Sequence, residues 1–210
     1  MADEGYTKFR VEWERRAIEY PLELDAINRS RSLLRRLGMI GAYPDGVGFG
    51  NVSVRVPNLA NFPTSFVISG TTTGHLSRLE MQHLALVRSF DIEANLLSCQ
   101  GLTQASSESL THAACYVARP EVRAVVHVHH QERWQRLLEQ PVSRGGTSVH
   151  TTPSTATYGT PEIALAVQNF VAQSQHSCGI IVMAGHEGGL IAFASSLELA
   201  TECLTAESKS

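Results

Sequence analysis

The stretch Val126-His127-Val128-His129-His130 carries the residues best suited to chemistry. On a β-strand, residues two apart share a face, so His127 and His129 project side by side while His130 points to the other face. Their Nε2 atoms can then meet one metal ion; the plainer alternative is a pair of hydrogen-bonded strand histidines. A tetrahedral zinc site needs a third protein ligand, with the fourth position open if it is catalytic. His186, in Ala184-Gly185-His186-Glu187-Gly188-Gly189, sits in a glycine-flanked turn after an apolar strand and is the expected third ligand. No histidine stands at position 190, so the helix-borne HExxH pattern of metalloproteases is excluded.

The second group is Gln104-Ala105-Ser106-Ser107-Glu108-Ser109-Leu110-Thr111-His112. Two serines and an acid read as a helix start, with capping hydroxyls and a carboxylate in the first turn. The same amides and hydroxyls can hold a phosphate, which leaves Glu108 within reach of a metal as an acid/base. His112 shares a helix face with Glu108, and a packed histidine is the plainer alternative there. Gly46-Val47-Gly48-Phe49-Gly50-Asn51 fails the GxGxxG pattern at Asn51 and precedes a strand rather than a helix. No GxxxxGK[ST] occurs, so both nucleotide readings are rejected. What remains is a flexible turn or a backbone anion nest ending in the Asn51 amide. Tyr158 is a further polar group in a loop, or simply a packed tyrosine.

Elements able to position these residues follow from the periodicities. A helix is expected over Tyr6–Leu37, with residues 1–21 as a helical extension. Strands are expected at Val52–Val56, Ser65–Ile68, Leu84–Val87, Val122–His130, Gly179–Met183 and Gly189–Ala194. Further helices start at Ser106 or Ser107 and run to Ala118, and span Pro161–Gln173 and Leu197–Leu204. One α/β domain over residues 1–210 accounts for the chain. With 17 basic against 20 acidic residues the net charge is −3, too acidic for a protein that relies on neutralising phosphates of nucleic acid. The four cysteines are scattered without a CxxC pair, and no signal peptide or membrane span is visible, so a cytoplasmic location is expected.

Taken in order, Gly50-Asn51-Val52-Ser53-Val54-Arg55, Ile68-Ser69-Gly70-Thr71, Ser106-Ser107-Glu108 with His112 and Tyr116, Arg119-Pro120, Ala124 to His129, and His186 with Gly188 resemble the class II aldolase/adducin family. The resemblance implies a three-layer α/β/α sandwich around a mixed, mainly antiparallel sheet, assembled as a homotetramer with sites near subunit interfaces. It places zinc on His127, His129 and His186, the acid/base on Glu108, and phosphate on Asn51, the Ser69-Gly70-Thr71 turn and Ser106-Ser107. Thr71-Thr72-Thr73-Gly74 offers more than one register for the middle loop. The implied function is a metal-dependent lyase, an aldolase acting on a small hydroxy-carbonyl or sugar phosphate through a zinc-stabilised enediolate. Tyr158 is the further catalytic candidate, since the C-terminus offers no counterpart of the tyrosine that some family aldolases use. A dehydratase, epimerase or decarboxylase would use the same site, and an adducin-like scaffold without catalysis is the alternative of another class. Two departures stand out: Glu187 follows His186, and only Arg55 and Arg78 lie near the anion loops. The second leaves a non-phosphorylated substrate open.

Overall fold

The computed structural model describes residues 8–56, 64–140 and 147–206. In chain order the elements are β1 (Arg10–Glu14), α1 (Leu24–Arg36), β2 (Gly41–Ala42), β3 (Gly48–Phe49), β4 (Asn51–Arg55) and β5 (Phe66–Ser69). They continue as β6 (Leu84–Asp91), β7 (Leu96–Gly101), α2 (Ser109–Ala118), β8 (Ala124–His129), α3 (Gln131–Glu139) and β9 (Thr147–Thr151). The last four are α4 (Pro161–Gln173), β10 (Cys178–Val182), β11 (Gly189–Ala194) and α5 (Leu197–Thr205). Among the described residues, nine strands form one sheet in the order β1-β7-β6-β5-β4-β8-β11-β10-β9. Only the outermost pairs, β1 with β7 and β10 with β9, run parallel, so the sheet is mixed and mainly antiparallel. Strands β8, β10 and β11 are buried throughout, which explains their near-continuous apolar sequences.

Alternation along the central strands divides the core into two layers. Val125, Ile191 and Phe193 pack with Leu110, Ala114, Ile163 and Val167 of α2 and α4. Val126, Val128 and Leu190 pack on the opposite face, with Ile27 and Leu34 of α1, Leu137 of α3 and Leu197 and Leu204 of α5. The fold is therefore the expected three-layer α/β/α arrangement. Because strand side chains alternate, His127 and His129 follow Val125 onto the α2/α4 face.

Three expectations need correction. Residues 10–14 are a strand, not part of a helical extension: Val11 and Trp13 pack on the core between the polar Arg10, Glu12 and Glu14. That period-two pattern suits a sheet edge, and the Trp13 indole fixes it by donating to the Gly101 carbonyl at 2.9 Å. The helix expected over Tyr6–Leu37 is confined to Leu24–Arg36, and residues 1–7 fall outside the described region. The helix expected from Ser106 or Ser107 starts at Ser109, because the Ser106 carbonyl is taken by the Ser109 amide at 3.0 Å and its hydroxyl at 2.6 Å in a preceding turn. Strands β1, β7 and β9 and helix α3 have no counterpart among the elements expected from the sequence. Trp134, Leu137 and Leu138 carry the helical spacing of α3, and His130 caps it by accepting from the Arg133 amide at 3.3 Å. No helix among the described residues is long and apolar enough to cross a membrane.

Candidate metal centre

Three imidazoles from a strand and a turn converge. His127 and His129 stand on β8, and their Nε2 atoms lie 3.1 Å apart. His186 comes from the turn joining β10 and β11, and its Nε2 lies 3.0 Å from that of His129. All three side chains are buried. That turn is shaped for the ring: Gly188 takes a positive φ of 76°, and a Cβ on Gly189 would sit 2.5 Å from His186 Cδ2. A side chain at 189 would therefore push the imidazole out of the cluster.

Hydrogen bonds at the far nitrogens set the ring orientations. The Leu190 carbonyl can only accept, so His127 Nδ1, 3.2 Å away, carries the proton and its Nε2 presents a lone pair to the centre. His129 Nδ1 is held by the Tyr43 hydroxyl at 3.1 Å. The three inward-facing nitrogens are close enough to share one ion, whose bonds to imidazole run ~2.0–2.1 Å, so the donor set fits zinc or a similar divalent metal. Nothing in the sequence around Tyr43 advertises this contact; the segment leading to it is tied to β8 by the His129 amide, which donates to the Met39 carbonyl at 3.0 Å.

Glu108 is buried at the N-terminus of α2, with Oε1 3.7 Å from His186 Nε2. Its carboxylate makes no cap to its own helix, which leaves it turned toward the histidines. Tyr158 is also buried, not a surface residue, and its ring stacks on His186 at 4.6 Å between centroids. Lys8 holds its ammonium 5.0 Å above the Tyr158 ring. Glu187 leaves the cluster unchanged, because its carboxylate accepts from Gln131 at the surface, 3.0 Å away.

A pocket beside the histidines is walled by Gly48–Asn51, Gly70–Gly74, Ser106, Ser107, Glu108, His127 and Tyr158. It gathers most of the residues expected around an anion: Asn51, Gly70, Thr71, Ser106 and Ser107. Asn51 pairs with His127 across the β4–β8 ladder, which sets its buried amide beside the cluster. Thr72, at a left-handed φ of 59°, turns the chain so that Thr73 and Gly74 complete the wall. Ser69 does not take part: its hydroxyl accepts the Val52 amide at 3.1 Å and serves the sheet. Arg55 and Arg78 are displaced from the pocket too. Arg55 caps the far end of α2, donating to the carbonyls of Tyr116, Arg119 and Val122 at 2.6, 3.2 and 2.9 Å. Arg78 pairs with Asp25 at the surface, 2.7 Å away.

His112, one helical turn past Glu108, faces the sheet instead of the metal cluster. Its Nδ1 lies 2.7 Å from Ser53 Oγ, which also meets the Tyr116 hydroxyl at 2.7 Å. Complete burial lowers its pKa from 6.5 to about 3, so the ring is neutral across the physiological range.

The fold is shared with solved structures. YgbL from Klebsiella pneumoniae superposes with a TM-score of 0.60 at 19% identity, covering 86% of this chain and 82% of that one. L-fuculose-1-phosphate aldolase from Thermus thermophilus gives a TM-score of 0.55 at 23% identity, covering 86% and 83%. A 3-oxo-tetronate 4-phosphate decarboxylase from Haemophilus influenzae is 35% identical over 82 residues. That match takes in 39% of this chain and only 33% of the relative's length. Residues 43–206 match the family described as Class II Aldolase and Adducin N-terminal domain, which spans the three histidines, Glu108 and the whole pocket wall. The chain belongs to the class II aldolase/adducin family.

Proposed function

We propose that the protein is a metal-dependent lyase of the aldolase type, acting on a small hydroxy-carbonyl compound that carries a phosphate or similar anionic end. The observation that carries this reading is the meeting of three imidazole Nε2 atoms at 3.0 and 3.1 Å with the Glu108 carboxylate, beside a pocket of hydroxyls and glycine backbone. His127, His129 and His186 would hold a divalent ion, zinc foremost, which supplies Lewis-acid polarisation of a substrate oxygen.

Each remaining part has its own task. Ser106, Ser107 and the Gly70–Gly74 turn hold the anionic end, and the Asn51 amide fixes the substrate between that end and the histidines. This fixes the reacting carbon near Glu108, whose carboxylate takes or returns the proton there. Tyr158 covers His186 with its ring face and keeps water from that side of the cluster.

Decarboxylation of a 3-oxo acid phosphate is the second reading, favoured by the stretch of 82 residues shared with the Haemophilus influenzae decarboxylase. Losing carbon dioxide and breaking an aldol bond both leave negative charge beside a carbonyl, so the same groups serve either reaction. The test is a panel of sugar phosphates and 3-oxo acid phosphates, followed by aldehyde formation and carbon dioxide release. Glu108→Gln should lower kcat by ~10²–10⁴-fold on the reactive compound while the bound metal stays constant. Wild-type turnover in that variant would remove Glu108 from the chemistry.

A further inference from the structure

Arg31 is fully buried on the inner face of α1, and no carboxylate among the described residues pairs with its guanidinium. Its partners are backbone carbonyls. Nη2 donates to Thr73 O at 3.0 Å and Leu76 O at 3.3 Å, and Nη1 donates to Leu76 O at 3.3 Å. Arg35, one turn further along α1, donates to the Gly74 carbonyl. Two cations thus grip the Thr73–Leu76 turn from behind, while Thr73 and Gly74 form part of the pocket wall in front.

Carbonyls carry no net charge, so these bonds solvate the Arg31 cation without neutralising it. An isolated buried charge is costly and is normally paired. Burial takes its pKa from 12.5 to about 10, which still leaves it charged at neutral pH. The pocket on the other side of the turn contains no lysine or arginine of its own among its described walls. The two features answer each other: a cation without an anion stands one peptide unit behind an anion pocket without a cation. A carbonyl bound to a cation also polarises its peptide, so Thr73–Gly74 transmits part of that charge to the pocket side.

We propose that Arg31 supplies the positive charge of the pocket through the Thr73–Gly74 peptide, and that the ligand it selects is a phosphate monoester or kindred oxyanion. Arg31 never touches that ligand and is a positioning residue. The inference rests on the anion pocket of the proposed function.

Inorganic phosphate titrated calorimetrically into the full chain tests it. Arg31→Met, which fills the space without charge, should bind phosphate about tenfold more weakly, and Arg31→Lys should recover to within about threefold of wild type. Recovery by lysine separates charge from packing. If the methionine variant does not fold, Arg35→Gln, at a half-buried position, should still weaken phosphate about threefold. Equal affinity in folded Arg31→Met overturns the role of Arg31 and leaves the pocket standing. Failure of the wild type to bind phosphate, or binding that survives Asn51→Asp, overturns the anion pocket and the inference with it.

Discussion

His127 and His112 make an instructive pair, since both are buried and each has Nδ1 hydrogen-bonded to a neutral oxygen. For His127 the oxygen is the Leu190 carbonyl; for His112 it is the Ser53 hydroxyl. The difference lies at the other nitrogen. His127 Nε2 faces His129 Nε2 at 3.1 Å, whereas His112 Nε2 has no hydrogen-bond partner among the described residues. Residue type and burial therefore do not mark a ligand; what stands opposite the second nitrogen does. Backbone register decides that, because the β8–β11 ladder sets Ile191 against His127 and Gly189 against His129, which brings the His186 turn over the pair.

The sharpest way to break this comparison is to delete one histidine from each setting. His127→Ala should lower divalent-metal affinity by more than the ~10–100-fold that loss of an outer partner costs, and activity should fall with it. His112→Asn should keep the metal. Metal content by plasma mass spectrometry after dialysis decides the matter, and equal loss from both variants would erase the distinction.

The same pair should separate again in acid. His112 has a folded pKa of about 3 against an ordinary 6.5, so as the pH falls the unfolded chain takes up the proton first. Stability held above pH 6.5 is lost towards pH 3 at up to ~1.4 kcal/mol per unit from this group alone. His112→Asn should be less steep between pH 6 and 4 by about that amount, read from urea midpoints. Every other group is common to the two proteins and cancels in the difference. An unchanged slope would mean that His112 is not held neutral.

What can be read from the sequence follows the range of the interactions. The His127/His129 pair needs only the strand period, and helix α4 is legible at Pro161–Gln173 because proline opens it and its apolar spacing is regular. The orientation of Ser69, Arg55 and Arg31 depends on partners 17, 61 and 42 residues away, which no local pattern encodes. Strand β1 escapes a local reading because its period-two alternation runs for only five residues in a charged stretch, and pairing with the distant β7 is what makes it a strand. The serines before α2 have the chemistry of caps, but the tight turn at Ser106 delays the helix and leaves Glu108 turned toward His186 instead.

Tyr43 gives the smallest effect and the finest test of the rule. Its hydroxyl lies 3.1 Å from His129 Nδ1, and its ring packs on Phe49 with centroids 4.7 Å apart. If the hydroxyl accepts the Nδ1 proton, it holds His129 in the tautomer that presents Nε2 to the cluster, as the Leu190 carbonyl does for His127. Tyr43→Phe keeps the ring contact and removes that orienting bond. Metal affinity should drop about tenfold, at the lower edge of outer-partner effects, with thermal stability close to wild type. A hydroxyl can donate as well as accept, so it defines a tautomer less firmly than a carbonyl. An unchanged affinity would show that packing against Phe49 alone orients His129, and that the far nitrogen matters only where its partner can do nothing but accept.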